Sequence, residues 1–455
     1  MRAILLIDFG STYTKLTAVD IENAKILGTA ASYTTVESDI NEGLNKGLSI
    51  LKDKIGDIEY KKTLACSSAA GGLRMIASGL VPELTSEAAK MATLGAGAKI
   101  VKLFSFELTE DDIEEISNSK PDIFLLVGGT DGGNTECIVH NAKMLAALPP
   151  EFPIIIAGNR NASRECERMC PNVMPKFGTI NIAETQDKIR EIFLRRIIKA
   201  KGLSKASSIL TDILMPTPSA VLQAINLLAD GCEGEKGLGE LIAVDVGGAT
   251  TDIYSVANGK PAHSGTVYKG LPEPYSKRTV EGDIGMRYSI NGIVDAAGLD
   301  HICELSGLSE ERASELISYL STHTDVVPNG DDELERLDYA LASMAIETAV
   351  TRHAGSMEET YTVCGLTYVQ TGKDLRDVKQ IIVTGGSLIH TSRTSQIASH
   401  ALFDVANPMS LRPKTAEIRV DRKYILAAMG LLSAHHPKIA LQIMKEELKK
   451  DGFEK

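Results

Sequence analysis

The sequence predicts an α/β protein on three observations. One phosphate-loop pattern is written twice, a run of alternating strand and helix signals separates the two copies, and a later apolar strand runs into Gly-Gly-Ser. The first copy is the apolar run Ile4 to Ile7 followed by Asp8-Phe9-Gly10-Ser11-Thr12 and closed by Lys15. The second is Leu241 to Val244 followed by Asp245-Val246-Gly247-Gly248-Ala249-Thr250-Thr251-Asp252. In both, an apolar run ends in an aspartate, glycine and hydroxyl residues turn the chain, and alternation resumes. That pattern reads as a buried strand entering a hairpin.

Glycine turns let backbone N–H groups converge on an anion, because no Cβ obstructs the approach. Ser11, Thr12, Thr250 and Thr251 add hydroxyls at the same rim. Asp8 and Asp245 would repel a phosphate, so a hard cation between them, Mg²⁺ with its waters, is expected. A single D-x-G-x-T hairpin is more often an ordinary turn than a phosphate site. Two copies are harder to dismiss, and Ile381-Ile382-Val383-Thr384-Gly385-Gly386-Ser387 adds a bare backbone on which a flat ring can lie. The ordered set predicts a clamp on a nucleotide polyphosphate, ATP with Mg²⁺.

Between the copies, helices are expected over 39–55, 83–94, 110–115, 135–147 and 161–169. Strands are expected at Lys62 onward, 100–106, 122–127 and 154–157. Repeated βα units of this length imply a parallel sheet with covering helices, a Rossmann-like insert. The insert carries Gly128-Gly129-Thr130-Asp131-Gly132-Gly133-Asn134 at the carboxyl end of a strand, where ligands of doubly wound sheets settle. Gly128, Gly129, Asp131, Gly132 and Asn134 are the second candidate site, although a flexible turn has the same spacing. Lys277-Arg278-Thr279-Val280-Glu281-Gly282-Asp283-Ile284-Gly285-Met286-Arg287 reads residue by residue as a solvated loop; as a unit it suits a nucleotide pocket or a subdomain contact. Two helices are expected over 309–350, joined by a Pro-Asn-Gly turn.

At 455 residues the chain is long enough for two or more domains, and 43% hydrophobic with 24% charged residues is ordinary for a globular protein. A net charge of −12 argues against a general nucleic-acid or anionic-membrane surface. No apolar run approaches the roughly 20 residues that span a bilayer, and the start reads as no signal peptide, so a cytoplasmic protein is expected. Seven scattered cysteines read as reduced thiols. On a helix, Cys166 and Cys170 would share a face.

The ordered loops resemble those of the superfamily that holds actin, sugar and acetate kinases and the ATPase domain of the heat-shock chaperones. The resemblance implies two actin-like, ribonuclease H-like subdomains around a nucleotide cleft. The hairpins would grip the phosphates, Gly385-Gly386-Ser387 would hold the adenosine, and two connecting helices would complete the pattern. Pro216 to Leu228 and Ala427 to Leu432 fit those helices. The boundaries expected are 1–82 for the first part of the N-terminal subdomain, 83–205 for the insert, 206–240 for the connecting helix and 241–455 for the C-terminal subdomain. The chaperones place a glutamate before their Pro-Thr; here Met215 stands there. Gln223 lies where actin carries a water-orienting glutamine, so Gln223 and Asp245 are the expected catalytic pair of a slow ATPase.

With GGTDGGN and TVEGDIGMR added, the whole chain resembles the GlmL family, which often carries the label MutL. Mismatch-repair MutL is a different ATPase class. The resemblance implies an accessory ATPase that reactivates an adenosylcobalamin-dependent mutase of the glutamate mutase type by releasing inactive cobalamin. It leaves self-association open. A small-molecule kinase and a non-hydrolysing nucleotide-binding scaffold are the alternatives. An activator of a radical hydratase is disfavoured, since no cysteine pair flanks the nucleotide loops.

Overall fold

The computed structural model describes residues 2–10, 13–34, 40–68, 73–148, 152–167, 170–200, 212–261, 265–362 and 365–448. Ser11, Thr12 and Cys364 therefore lie outside the described residues. The chain divides into two units. The first comprises Met1–Gln223, Gly270–Pro272 and Ala427–Ile439; the second comprises Ala224–Lys269, Glu273–Leu426 and Ala440–Lys455.

The first unit opens with β1 (Ala3–Phe9), all seven residues of which are buried. An apolar run of that kind suits a central strand covered on both faces. It pairs antiparallel with β2 (Tyr13–Asp20), which pairs antiparallel with β3 (Lys25–Tyr33). After α1 (Ile40–Ile55), β4 (Tyr60–Ser67) returns parallel to β1.

The insert follows: β5 (Arg74–Gly79), α2 (Glu87–Gly95), β6 (Lys99–Ser105), α3 (Glu110–Ser119), β7 (Ile123–Leu126), α4 (Glu136–Ala146) and β8 (Ile154–Ile156). Its four strands form one parallel sheet in the order β6-β5-β7-β8. The sheet thus begins with β5, ahead of the expected boundary at 83. Ile76, Phe124 and Leu126 pack with Ile116, Ile138 and Leu145 on one face; Met75, Ala77, Ile123 and Leu125 pack with Ala88, Ala92, Ile189 and Phe193 on the other. This is the two-faced burial that a parallel sheet requires.

The helix expected over 161–169 is only a short α5 (Ser163–Cys166), stopped by Glu167 in the left-handed region at φ 46°. Cys170 then hydrogen-bonds back to the Ile156 carbonyl, so Cys166 and Cys170 do not share a helix face. After α6 (Ala183–Ala200), β9 (Asp212–Pro216) completes the first sheet in the order β3-β2-β1-β4-β9, parallel to β4.

The division between units falls inside α7 (Thr217–Asp230), which leads to a small hairpin of β10 (Gly231–Cys232) and β11 (Glu235–Lys236). The second unit repeats the sheet. Strands β12 (Leu241–Val246), β13 (Thr251–Val256) and β15 (Ser276–Glu281) form an antiparallel meander; β18 (Gln380–Thr384) and β19 (Glu417–Val420) add in parallel. The order β15-β13-β12-β18-β19 matches that of the first unit strand for strand. Two sheets of one order and orientation are the duplicated subdomain that the actin-like resemblance implied.

A separate three-stranded sheet joins β14 (Val267–Lys269), β17 (Gly365–Thr371) and β16 (Ser356–Thr362). Helices α8 (Ile290–Ala297), α9 (Leu299–Ser306), α10 (Glu310–Thr322) and α11 (Asp332–His353) form the main core with β12 and β18. Asp331 caps α11 by accepting from the Glu333 and Leu334 amides. Short α12 (Gly386–Ile389) and α13 (Thr394–Ser399) precede β19, and α14 (Leu426–Ser433) and α15 (Pro437–Glu447) close the chain. In the first unit, Gly430 of α14 lies directly against the Ala220 carbonyl of α7, where no Cβ would fit. Among the described residues no helix is long and apolar enough to cross a membrane.

Candidate functional site

The two hairpins share one backbone hydrogen bond from glycine to the residue three places on. The Gly10 N–H donates to the Tyr13 carbonyl at 3.1 Å and the Gly247 N–H to the Thr250 carbonyl at 2.9 Å. A Cβ on Gly10 would sit 2.5 Å from the Tyr13 oxygen, and one on Gly247 2.9 Å from the Thr250 oxygen. Both turns therefore demand glycine for room.

In the first unit Asp8 is buried near the end of β1, with Lys15 as its cross-strand partner on β2 and Cys66 beside it on β4. The Thr217 hydroxyl, at the start of α7, donates to Asp8 Oδ1 at 2.6 Å, and Cys66 Sγ donates to the same oxygen at 3.5 Å. Burial, and then the Asp8 charge, push the Cys66 thiol well above its usual range, which keeps it a donor. Neither Thr217 nor Cys66 was singled out in the sequence. Only strand pairing brings residues so distant in the chain to one carboxylate.

In the second unit Asp245 sits between Asp252 of β13 and Thr384 of β18. Two carboxylates directly opposite on a sheet repel. Arg278 of β15 relieves this by gripping Asp252 Oδ1 through Nε at 2.9 Å and Nη2 at 2.6 Å. The segment read as a solvated loop is thus partly strand β15, with its arginine buried.

The rest of that segment cradles the turn. The Met286 amide donates to the Gly247 carbonyl at 3.1 Å, the Arg287 and Tyr288 amides both donate to the Gly248 carbonyl at 2.9 Å, and the Ser289 hydroxyl donates to the Ala249 carbonyl at 2.8 Å. Arg287 is itself bolted to Asp338 of α11 by paired bonds of 2.9 and 2.7 Å. The turn carbonyls are therefore drawn into the protein, while the N–H groups of Gly248 and Ala249 have no hydrogen-bond partner among the described residues. Gly248 and Ala249 are exposed. Successive free amides of this kind form an anion-binding concavity. Thr250 stands half-buried at the rim; Thr251 is fully buried and donates to the Ile284 carbonyl at 3.0 Å, so it braces the cradle.

Gly385, at φ 110°, passes directly over the Val246 backbone, which leaves no space for a side chain. Gly386 is exposed, and a Cβ there would meet only the Tyr424 hydroxyl, at 3.5 Å. The Thr384 and Ser387 hydroxyls are buried without a hydrogen-bond partner among the described residues. The structure thus gathers Asp245, Gly247, Gly248, Thr250, Gly385, Gly386 and Ser387 in one unit, and Asp8, Gly10 and Lys15 in the other. Gln223 is an exposed residue of α7.

The Gly128–Asn134 loop follows β7. The chain steps from β5 out to β6 and then back past β5 to β7, so the strand order reverses between β5 and β7, and the loop lies at that switch point. Asn159 pins it: its Nδ2 donates to the Gly133 and Asn134 carbonyls at 3.0 Å each, and its Oδ1 accepts from the Gly132 amide at 3.2 Å. Asn172 Nδ2 donates to the Gly129 carbonyl at 3.0 Å and to Asp131 Oδ1 at 3.1 Å. The loop has one fixed shape, set by asparagines that arrive from beyond β8.

Comparison with known proteins agrees with the reading of the whole chain. A relative from Clostridium tetanomorphum named Protein MutL is 48% identical, over 99% of this chain and 100% of its own. Component A of the (R)-2-hydroxyglutaryl-CoA dehydratase of Acidaminococcus fermentans aligns over 99% of this chain and 100% of its own at 12% identity, with a TM-score of 0.31. A ROK hexokinase from Thermus thermophilus aligns over 98% of each chain at 11% identity and a TM-score of 0.30. At such values neither structure bears on the chemistry of this one. The model of the MutL protein family matches residues 4–448, and the chain belongs to that family.

Proposed function

We propose that this chain is an ATP-dependent accessory protein that reactivates an adenosylcobalamin-dependent mutase of the glutamate mutase type. The observation that carries the nucleotide part is the Gly247–Thr250 turn that follows Asp245, with its carbonyls tied to residues 286–289 and the Gly248 and Ala249 amides without a hydrogen-bond partner among the described residues. The partner class rests on the GlmL resemblance of the whole chain.

In this reading, the Gly248 and Ala249 amides and the Thr250 hydroxyl hold phosphate oxygens, and Gly10, Ser11, Thr12 and Lys15 hold the polyphosphate from the first hairpin. Asp8 and Asp245 suit Mg²⁺: each is a carboxylate beside a glycine turn, the donor type that a hard cation takes through its waters. Mg²⁺ would neutralise charge on the phosphates. Gly385-Gly386-Ser387 offers the adenosine the exposed backbone of Gly386. Asp245 accepts a proton from the attacking water, and Gln223 orients that water. Positioning and charge stabilisation are most of what phosphoryl transfer needs, so a slow hydrolysis rate suffices. Loss of the γ-phosphate removes charge that the turn amides hold, and the resulting change in conformation would release inactive cobalamin from the mutase.

The test is ATP hydrolysis measured alone, with the mutase, and with candidate metabolites. Stimulation by the mutase, and recovery of inactivated mutase on addition of Mg-ATP and fresh coenzyme, support the proposal. Consumption of ATP that depends on a metabolite instead makes the chain a kinase. Nucleotide binding with no turnover, and unchanged function in Asp245→Asn, makes it a scaffold.

A further inference from the structure

An asparagine followed by glycine can lose its side-chain amide to its own backbone, because glycine has no side chain to shield its nitrogen. The reaction needs two freedoms: the asparagine side chain must turn, and the next backbone nitrogen must reach its Cγ. The chain holds three such pairs, Asn258-Gly259, Asn291-Gly292 and Asn329-Gly330, all in the second unit. The fold treats them differently. Asn258 is tied to Glu240 Oε1 twice, by its Nδ2 at 2.8 Å and by its backbone N–H at 2.9 Å. Gly259 is buried, and its carbonyl accepts from Gln370 Nε2 at 3.0 Å and from the Asp374 amide at 3.1 Å. Asn291 lies within α8, where the Gly292 N–H donates to the Ser289 carbonyl at 3.2 Å. Gly292 is also pressed against the Asp283 carbonyl, which a Cβ would meet at 1.8 Å, so the helix would have to open before its nitrogen could turn.

Asn329 has both freedoms. It is exposed, in the loop between α10 and α11, outside any helix or strand. Neither its side chain nor the Gly330 N–H has a hydrogen-bond partner among the described residues. Gly330 is exposed at φ 77°, with nothing within 4 Å of where a Cβ would stand. The loop is anchored at its two ends and not between them. The Val326 carbonyl accepts from Arg287 Nε at 3.0 Å, and Asp331 accepts from the Glu333 and Leu334 amides as the cap of α11. Between these anchors Val327 is 68% exposed.

We propose that Asn329 is a site of spontaneous deamidation in the folded protein, and that Asn258 and Asn291 are protected by the fold. The Gly330 nitrogen attacks Cγ of Asn329. The bond from Cγ to the side-chain nitrogen breaks, ammonia leaves with the proton that the Gly330 nitrogen gives up, and a cyclic imide remains. Water adds to one of the two imide carbonyls and opens the ring. Opening at one carbonyl gives aspartate; opening at the other gives isoaspartate, whose main chain runs through Cγ. No enzyme or cofactor is required, and none of these residues belongs to either hairpin, so the site stands or falls independently of the nucleotide reading.

The experiment incubates the full-length folded protein at mildly alkaline pH and physiological temperature, beside a sample unfolded in urea. Aliquots are digested over time, and the amide-to-acid mass gain at each Asn-Gly pair is read by mass spectrometry, with Asn329→Asp as the marker for the aspartate product. In the folded protein Asn329 should convert at least tenfold faster than Asn258 or Asn291. In urea the three should convert at similar rates, because their immediate sequence is the same Asn-Gly. The proposal is overturned if Asn258 or Asn291 converts as fast as Asn329 in the folded protein, or if Asn329 stays unmodified there while the urea sample converts. It is equally overturned if the tenfold preference persists in urea, since the fold would then not be what selects the site.

Discussion

The Thr217 hydroxyl and the Asp8 carboxylate meet at 2.6 Å, which ties the first strand of the chain to the start of α7. Thr217→Val removes the shorter of two side-chain bonds to a buried carboxylate oxygen and leaves, among the described residues, the long Cys66 contact. Leaving such an acceptor short of a donor costs about 1–3 kcal/mol. The variant should lose that much stability in urea denaturation and bind Mg-ADP more weakly, whereas Thr217→Ser should restore most of both.

Gly10→Ala and Gly247→Ala put a Cβ where a turn carbonyl already sits, at 2.5 and 2.9 Å respectively. Each turn must open to admit it. The Gly10 variant, with the closer contact, should suffer more. Nucleotide titration should show affinity falling at least tenfold for Gly10→Ala and by less for Gly247→Ala. Equal wild-type affinity in both would remove the hairpins from the nucleotide site.

Arg287, buried, and Asp338, half-buried, form a bidentate pair behind the second turn. Removing one partner of such a pair strands the other and costs about 3–5 kcal/mol. Asp338→Asn should therefore lower the thermal midpoint and reduce ATP hydrolysis together. Arg287→Lys should not rescue, since a single ammonium cannot make both bonds while its backbone N–H holds Gly248.

Acid and base should act on the second unit through two buried bases that share Ser255. His353 Nε2 lies 2.8 Å from Ser255 Oγ, and Lys373 Nζ lies 3.0 Å from it, with bonds also to the Pro274 and Tyr275 carbonyls at 2.9 and 2.7 Å. Burial, with Lys277 and Lys373 nearby, holds His353 well below its usual range. The unfolded histidine protonates near pH 6.5 and the folded one does not, so its stabilising contribution is present above about pH 6.5 and lost below it. Burial first, and Lys277 second, lower Lys373 to about 7. Between about pH 7 and 10 the unfolded chain then binds more protons than the folded one, so stability rises with pH there. Each group gives at most about 1.4 kcal/mol per pH unit. Urea midpoints measured across this range should show His353→Gln flattening the acid limb and Lys373→Met the alkaline one.

Much of the site was legible because its signals are local. An apolar run ending in Asp8 or Asp245, followed at once by glycine, fixes strand, turn and carboxylate within a dozen residues. Gly385 was legible for the same reason, and the insert's βα rhythm predicted its parallel sheet. Thr217 and Cys66 were not legible as parts of the site, and the 277–287 segment, which as a unit suited a nucleotide pocket, did not reveal that its amides tie the turn carbonyls; each acts through an element that pairs or folds back from far along the chain. The 161–169 helix failed because a left-handed Glu167 ends α5 after one turn, which helical spacing alone does not reveal.

The sequence by itself determined where the chain turns and which turns carry glycine, hydroxyl and carboxylate, because those depend on residues adjacent in the chain. The tertiary structure decided which way each turn faces. Arg287 is held by Asp338, and Met286, Arg287, Tyr288 and Ser289 draw the turn carbonyls inward, while the Gly248 and Ala249 amides have no hydrogen-bond partner among the described residues. That orientation arises from hydrogen bonds that close only when distant segments pack, and it is what makes a glycine turn a candidate for phosphate.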